Sequence, residues 1–256
     1  MTETKVHTHI DEDQFFWFTI NRPDKRNAID YDVMNELKSS LKQVRENHAI
    51  RAFIITGNGN QSFCSGGDLS VFHALHTKEE AYSMLSKMGE ILYDLMTLPV
   101  PTVALINGTA IGGGCEIAAA CDQRWAVSHA TLGFVQGRLG ITTGWGGASM
   151  LMEKVPHASA IKMLSSACTY TASEAVELGY IQKVVSFFDS QSLQEEFAVS
   201  SAVLRSYKKS FISKWEQSAL KERMLAEIEQ CSILWEQDEH HDAVKVFLEN
   251  KKNKRI

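Results

Sequence analysis

The chain has 256 residues, 44% of them hydrophobic and 22% charged, with a formal net charge of -5. That size suits one large domain that buries a core without staples, and the net negative charge argues against a nucleic-acid partner. The five cysteines include no C-x-x-C pair and are odd in number, which argues against a zinc site and a disulfide framework. Free thiols fit a reducing cytosol, so a cytoplasmic location is expected. The polar, acidic start from Met1 to Asp13 is no signal peptide, and no apolar run is long enough for membrane insertion.

Phe15 to Ile20 is aromatic and β-branched and predicts a strand, broken by Asn21-Arg22-Pro23-Asp24. Asp30 is placed to cap a helix from Tyr31 to about Asn47, with Val33, Leu37, Leu41 and Val44 on one face. Ala52 to Thr56 predicts a second short strand, ended by Gly57-Asn58-Gly59-Asn60. A long loop is expected through Phe63 to Leu69. Thr77-x-x-Glu80 is a capping box for a helix to about Leu98, where Pro99 and Pro101 stop it. Strands follow at Thr102 to Ile106 and Arg124 to Val127, with a helix at Ile117 to Ala120 between them. Thr171-x-x-Glu174 is a second capping box, and Ile181 to Val185 is the last clear strand. From about Ser192 the pattern is helical, with Val244, Phe247 and Leu248 as an apolar stripe on the last helix. Short apolar strands alternating with helices imply an α/β protein whose sheet is covered by helices.

Two motifs carry chemistry. Phe63-Cys64-Ser65-Gly66-Gly67-Asp68-Leu69 puts two glycines where a ligand can approach backbone N–H groups, and Asp68 can brace the turn. Alone it is a weak signal, since paired glycines in loops are usually just turns. In Asn107 to Ile117, the run Gly112-Gly113-Gly114 leads straight into a helix. The first N–H groups of that helix have no internal partner and form a cradle for a developing oxyanion. Glu116 sits in its first turn, either facing the same bound group or simply favoured by the helix dipole. Neither run carries the residues of a P-loop or a dinucleotide fingerprint. His73 and His76 follow the first motif; they either border the acyl site or, as isolated histidines near a loop more often are, are solvated or packed.

Taken in order, these motifs resemble the crotonase superfamily, the enoyl-CoA hydratase/isomerase family. The resemblance runs from Asn21-Arg22-Pro23-Asp24-Lys25-Arg26-Asn27-Ala28, through both glycine motifs and Gly144-Trp145-Gly146-Gly147, to Phe247-Leu248-Glu249-Asn250-Lys251-Lys252. It implies an α/β fold: a crotonase-like spiral of β-β-α repeats over 1–190, then a helical C-terminal trimerisation region over 191–256. A homotrimer or homohexamer is implied. The substrate is an acyl-CoA thioester, so coenzyme A is part of the substrate and no separate cofactor is expected. The N–H groups of Gly67 and Gly113 would hold the thioester oxygen, with Glu116 as the proton-transfer group. Lys25, Arg26, Ala28, Ser65, Gly66, Asp68, Trp145, Phe247 and Lys251 would contact the substrate.

One position departs from the hydratase pattern. Matching Gly140 to the family's glycine places the second hydratase glutamate at Gln136, which hydrogen-bonds but cannot take a proton. Hydration needs a base for water and an acid for the α-carbon. An enoyl-CoA hydratase or isomerase is the leading expectation. A decarboxylase of a short alkylmalonyl-CoA, which needs only oxyanion donors and one acid, is the alternative. A non-catalytic acyl-CoA-binding subunit is the third reading.

Overall fold

The computed structural model describes residues 4–253, and side chains as far as residue 250. A six-stranded sheet runs in the order β1 (Val6–Ile10), β2 (Phe15–Ile20), β3 (Ala52–Gly57), β5 (Thr102–Ile106), β7 (Gln123–Val127), β10 (Lys183–Val185). Only the β1/β2 pair is antiparallel. The second sheet has the order β4 (Ser62–Cys64), β6 (Thr109–Ile111), β8 (Thr131–Gly133), β9 (Tyr170–Thr171), with its first three strands parallel.

From β3 to β8 consecutive strands alternate between the sheets, and each pair leads into helix. After β3 and β4 come α2 (Leu69–Phe72) and α3 (Lys78–Met96). After β5 and β6 comes α4 (Gly113–Ala120). After β7 and β8 come α5 (Gly147–Met152) and α6 (His157–Ser165). These are the turns of a β-β-α spiral. α1 (Tyr31–Glu46) precedes it, and Asp30 accepts hydrogen bonds from the N–H groups of Asp32 and Val33 at its start. Both capping boxes form, at Thr77 and at Thr171, the latter opening α7 (Ala172–Glu177). The rest is helical: α8 (Ser190–Glu196), α9 (Ser201–Gln217), α10 (Leu220–Trp235) and α11 (Asp238–Asn253).

The central strands β2, β3 and β5 are buried on both faces, which is why they read as unbroken apolar runs. Side chains alternate along each strand. Phe16, Phe18, Phe53, Ile55, Ala104 and Ile106 enter the main core. Phe15, Ala52, Ile54, Val103, Leu105 and Trp125 pack on the opposite side with Leu193, Phe197 and Leu204 of the C-terminal helices.

The polar N-terminal stretch holds β1, whose residues pair with the strongly apolar β2. One expectation needs correction. The segment Phe63 to Leu69 is not one long loop: it begins inside β4, and Asp68 starts a short helix.

Gly114 shows how tightly the spiral is wound. A Cβ there would stand 2.1 Å from the Cys64 carbonyl oxygen, so β4 and α4 touch backbone to backbone. Gly114→Ala should destabilise the fold by about 3 kcal/mol, at the upper end for overpacking because the obstacle is main chain. Urea unfolding measures this, and a change within a few tenths of a kcal/mol would contradict the packing.

Candidate active site

The small sheet positions the site. β4, β6 and β8 are adjacent and parallel, and their C-terminal ends lead to Gly66-Gly67, Gly112-Gly113 and Gln136 respectively. The two glycine loops, about 45 residues apart in sequence, therefore become neighbours. A Cβ built on Gly66 would lie 3.0 Å from the Gly113 nitrogen. Gly66 has φ +88°, a conformation few residues but glycine adopt. Its carbonyl accepts from Ile29 N–H, and Ile29 in turn accepts from Asp68 N–H. The intervening Gly67 N–H has no partner among the described residues, nor has the N–H of Gly113 at the first position of α4.

Both glycines line a cavity of about 310 Å³. Its walls are largely apolar and include Phe72, Leu85, Ile111, Ile141, Trp145 and Trp235. Trp145 does two jobs. Its ring packs under the loops, so that a Cβ on Gly113 would stand 2.2 Å from it, and its backbone N–H donates to Glu116. It walls the cavity and fills the core together, at 4% exposure.

Glu116 is 2% exposed and lines the cavity. Its Oε2 accepts from the N–H groups of Trp145 (2.8 Å) and Gly147 (2.9 Å). Its Oε1 accepts from Gln136 Nε2 at 2.8 Å and from Gly144 N–H at 3.4 Å. Gln136 Oε1 is buried and has no partner among the described residues. Burial, the largest cause, and the negative charge of Glu227 push the Glu116 carboxyl from 4.5 up to about 7, against the hydrogen bonds from Trp145, Gly147 and Gln136. A carboxyl poised near neutrality can donate or accept a proton. The thiols of Cys64 and Cys115 are pushed up to about 12 by burial, so they fill space rather than act as nucleophiles.

That shift has a stability consequence. Below pH 4.5 Glu116 is protonated folded or unfolded, and its contribution is complete. Between 4.5 and 7 the unfolded chain releases a proton that the folded protein keeps, so stability falls as pH rises. The loss is on the order of 3 kcal/mol, at about 1.4 kcal/mol per pH unit. Glu116→Gln should remove that slope, since Gln136 can turn its carbonyl to face the new amide. Unfolding free energies of both proteins across this window test it; equal slopes would contradict it.

The other expected contacts divide. Ser65, Gly66 and Phe247 line the cavity, Phe247 from α11 at 46% exposure. Lys25, Arg26 and Ala28 do not. They lie in the 3-10 turn and the segment after it that back the first loop, where Arg26 carbonyl accepts from Ser65 N–H. Lys25 and Arg26 are exposed there, but Ala28 is buried and its carbonyl is taken by Arg22 Nη1 at 2.6 Å. Asp68 also needs correction as a substrate contact. It is 5% exposed, caps α2 through Ser70 N–H, and pairs with Arg22 Nη2 at 2.7 Å. Its role is to brace the loop. His73 and His76 border a separate hollow with His241. The side chain of Lys251 lies outside the described residues.

The sequence reading missed Leu85, Cys231, Trp235 and His240, which line the cavity from α3, α10 and α11. Their helices were legible, but nothing local says which helix face meets the glycine loops.

Comparison with known proteins places this architecture. The enoyl-CoA hydratase/isomerase family model matches residues 12–254. The chain is 32% identical to the short-chain-enoyl-CoA hydratase of Clostridium acetobutylicum, over 91% of each protein. It is 33% identical to the ethylmalonyl-CoA decarboxylase of Xenopus laevis, over 84% of this chain and 74% of that one. The crystal structure of an enoyl-CoA hydratase from Bacillus halodurans superposes with a TM-score of 0.85 at 23% identity, covering 95% of this chain and 100% of that one. The spiral of paired strands, the glycine loops at its parallel strand ends and the family match agree: this chain belongs to the enoyl-CoA hydratase/isomerase family of the crotonase superfamily.

Proposed function

We propose that this protein forms and protonates the enolate of a short acyl-CoA thioester, and that the enolate arises by loss of CO2 from an alkylmalonyl-CoA. One observation carries this reading: Glu116 is the single carboxyl lining the cavity among the described residues, and its side-chain neighbour there is Gln136. In the proposed step the bond from the α-carbon to the substrate carboxylate breaks. Its electron pair becomes the enolate, whose oxygen the N–H groups of Gly67 and Gly113 receive. Glu116 then gives a proton to the α-carbon and regains one from solvent. No base is required, and no cofactor beyond the substrate's own coenzyme A. The apolar walls favour loss of a charged carboxylate by excluding water.

Hydration is the second reading, favoured by similarity to the Clostridium hydratase over 91% of the chain. It asks Glu116 to activate water and also supply the α-proton. Incubation with ethylmalonyl-CoA and with crotonyl-CoA decides between them. Release of CO2 with formation of butyryl-CoA is expected to outpace loss of the enoyl absorbance. The reverse order would establish hydration, and binding of both esters without turnover would indicate a non-catalytic subunit.

The expected homotrimer or homohexamer belongs to the same proposal. Val203, Tyr207 and Phe211 recur every four residues along α9 and are 40%, 65% and 55% exposed. Such a stripe suits burial against another copy. Sedimentation of the intact protein checks this; a monomer at micromolar concentration would count against it.

A further inference from the structure

Glu227 has no part in the step just described, yet it is among the most thoroughly engaged side chains near the site. It projects from α10, in the C-terminal helical region, towards the segment that holds Glu116. Its Oε1 accepts from Thr143 Oγ1 at 2.5 Å and from Ala148 N–H at 3.0 Å, and its Oε2 accepts from Ser149 N–H at 2.8 Å. Glu116 takes the intervening donors of the same segment, Gly144, Trp145 and Gly147. A buried carboxyl and a half-buried one, on different helices, therefore grip one short turn from two sides. That turn also carries Trp145, whose ring packs under Gly113.

We propose that Glu227 is a positioning residue for Glu116, fixing the Thr143–Ser149 turn that orients it and acting on its ionisation through its own charge. The inference rests on the reading of Glu116 as the proton-transfer group. The physical basis is that like charges close together in a dry interior disfavour each other. Two carboxylates held on alternate donors of one short turn are not both easily ionised, so the pair retains a proton. A retained proton is what an acid that quenches an enolate needs.

The other groups around Glu116 do not supply this effect. On its own helix, Cys115 is a neutral buried thiol, and so is Cys231 on α10. His240 of α11 lines the cavity with its Nδ1 2.7 Å from the Leu139 carbonyl oxygen, and burial holds its proton affinity down. Arg138, beside Gln136, is the one arginine or lysine lining the cavity among the described residues, and a cation would favour ionised Glu116 rather than the acid. Glu227 is the group whose charge works in the direction of the acid, and burial raises its own carboxyl as well.

The test is an infrared titration of the substrate-free protein. The stretch of the protonated Glu116 carboxyl is assigned by its loss in Glu116→Gln. In the unaltered protein it should disappear with a midpoint near 7. In Glu227→Gln the midpoint should fall by about one pH unit or more. Coupling is reciprocal, so Glu116→Gln should lower the Glu227 midpoint by the same amount. Should Glu227→Gln fail to fold, Thr143→Val supplies the second variant. Losing one hydrogen bond draws the shared proton towards Glu227, so the Glu116 midpoint should fall by a smaller amount. An unchanged Glu116 midpoint in a folded variant overturns the proposal, because a purely structural role would alter stability and leave the titration in place. The spectrum is read without substrate, so its outcome is independent of whether the thioester is decarboxylated or hydrated. With turnover established, the fall of kcat at high pH should begin at lower pH in Glu227→Gln.

Discussion

Gly113→Pro should lower kcat on the thioester substrate by about 10²–10³ relative to Gly113→Ala, the usual loss for one oxyanion donor. The comparison between the two variants matters because any side chain at this position meets the Trp145 ring, 2.2 Å from where its Cβ would lie. Both variants suffer that collision, and both displace the tryptophan. Only proline also removes the N–H. Proline is otherwise suited to the first position of a helix, where that N–H has no internal partner. The difference between the two rates therefore isolates the hydrogen bond. It should appear in kcat more than in coenzyme A affinity, since the donor is aimed at charge that develops only as the enolate forms. Equal kcat in the two folded variants would remove Gly113 from the oxyanion assignment and leave the glycine run as a packing device.

How much of this was legible in the sequence depends on the range of the interaction that decides each feature. Asp30, Thr77 and Thr171 cap helices through backbone groups two or three residues away, so they were readable. β2, β3 and β5 are apolar on both faces and were readable as runs. β4, β6 and β8 were not. Each is only three residues long, too short to show a period, and each exists because it pairs with another strand remote in sequence, as Ser62 does with Thr109. The oxyanion loops were found by composition and order, but their adjacency is a property of that pairing. Asp68 was misassigned for a related reason. Its sequence position says only that it lies in the loop, while its role is decided by Arg22, on a distant segment. The grip of Glu227 on the Thr143–Ser149 turn is the extreme case, since one more glutamate in a Glu-rich helix carries no local signal at all.

Gln136→Glu should raise crotonyl-CoA hydration by about 10²-fold, at the lower end of what a positioned acid or base contributes. The amide nitrogen of Gln136 lies 2.8 Å from Glu116 Oε1, so the new carboxyl would stand in contact with the existing one. Two carboxyls at that distance share a proton and divide the labour: the ionised one takes a proton from water, and the protonated one gives its proton to the α-carbon. The same change should slow decarboxylation, because the negative charge on the ionised member of the pair opposes entry of a substrate that itself carries a carboxylate. The two activities should therefore move in opposite directions, which a general loss or gain of stability cannot produce. Assaying both substrates across about pH 5–9 covers the shifted midpoints of the pair. If hydration does not rise anywhere in that range, Gln136 is not what withholds a second proton carrier from this site. The choice between the two reactions would then rest on the shape of the cavity around Trp145 and Trp235 rather than on its carboxyls.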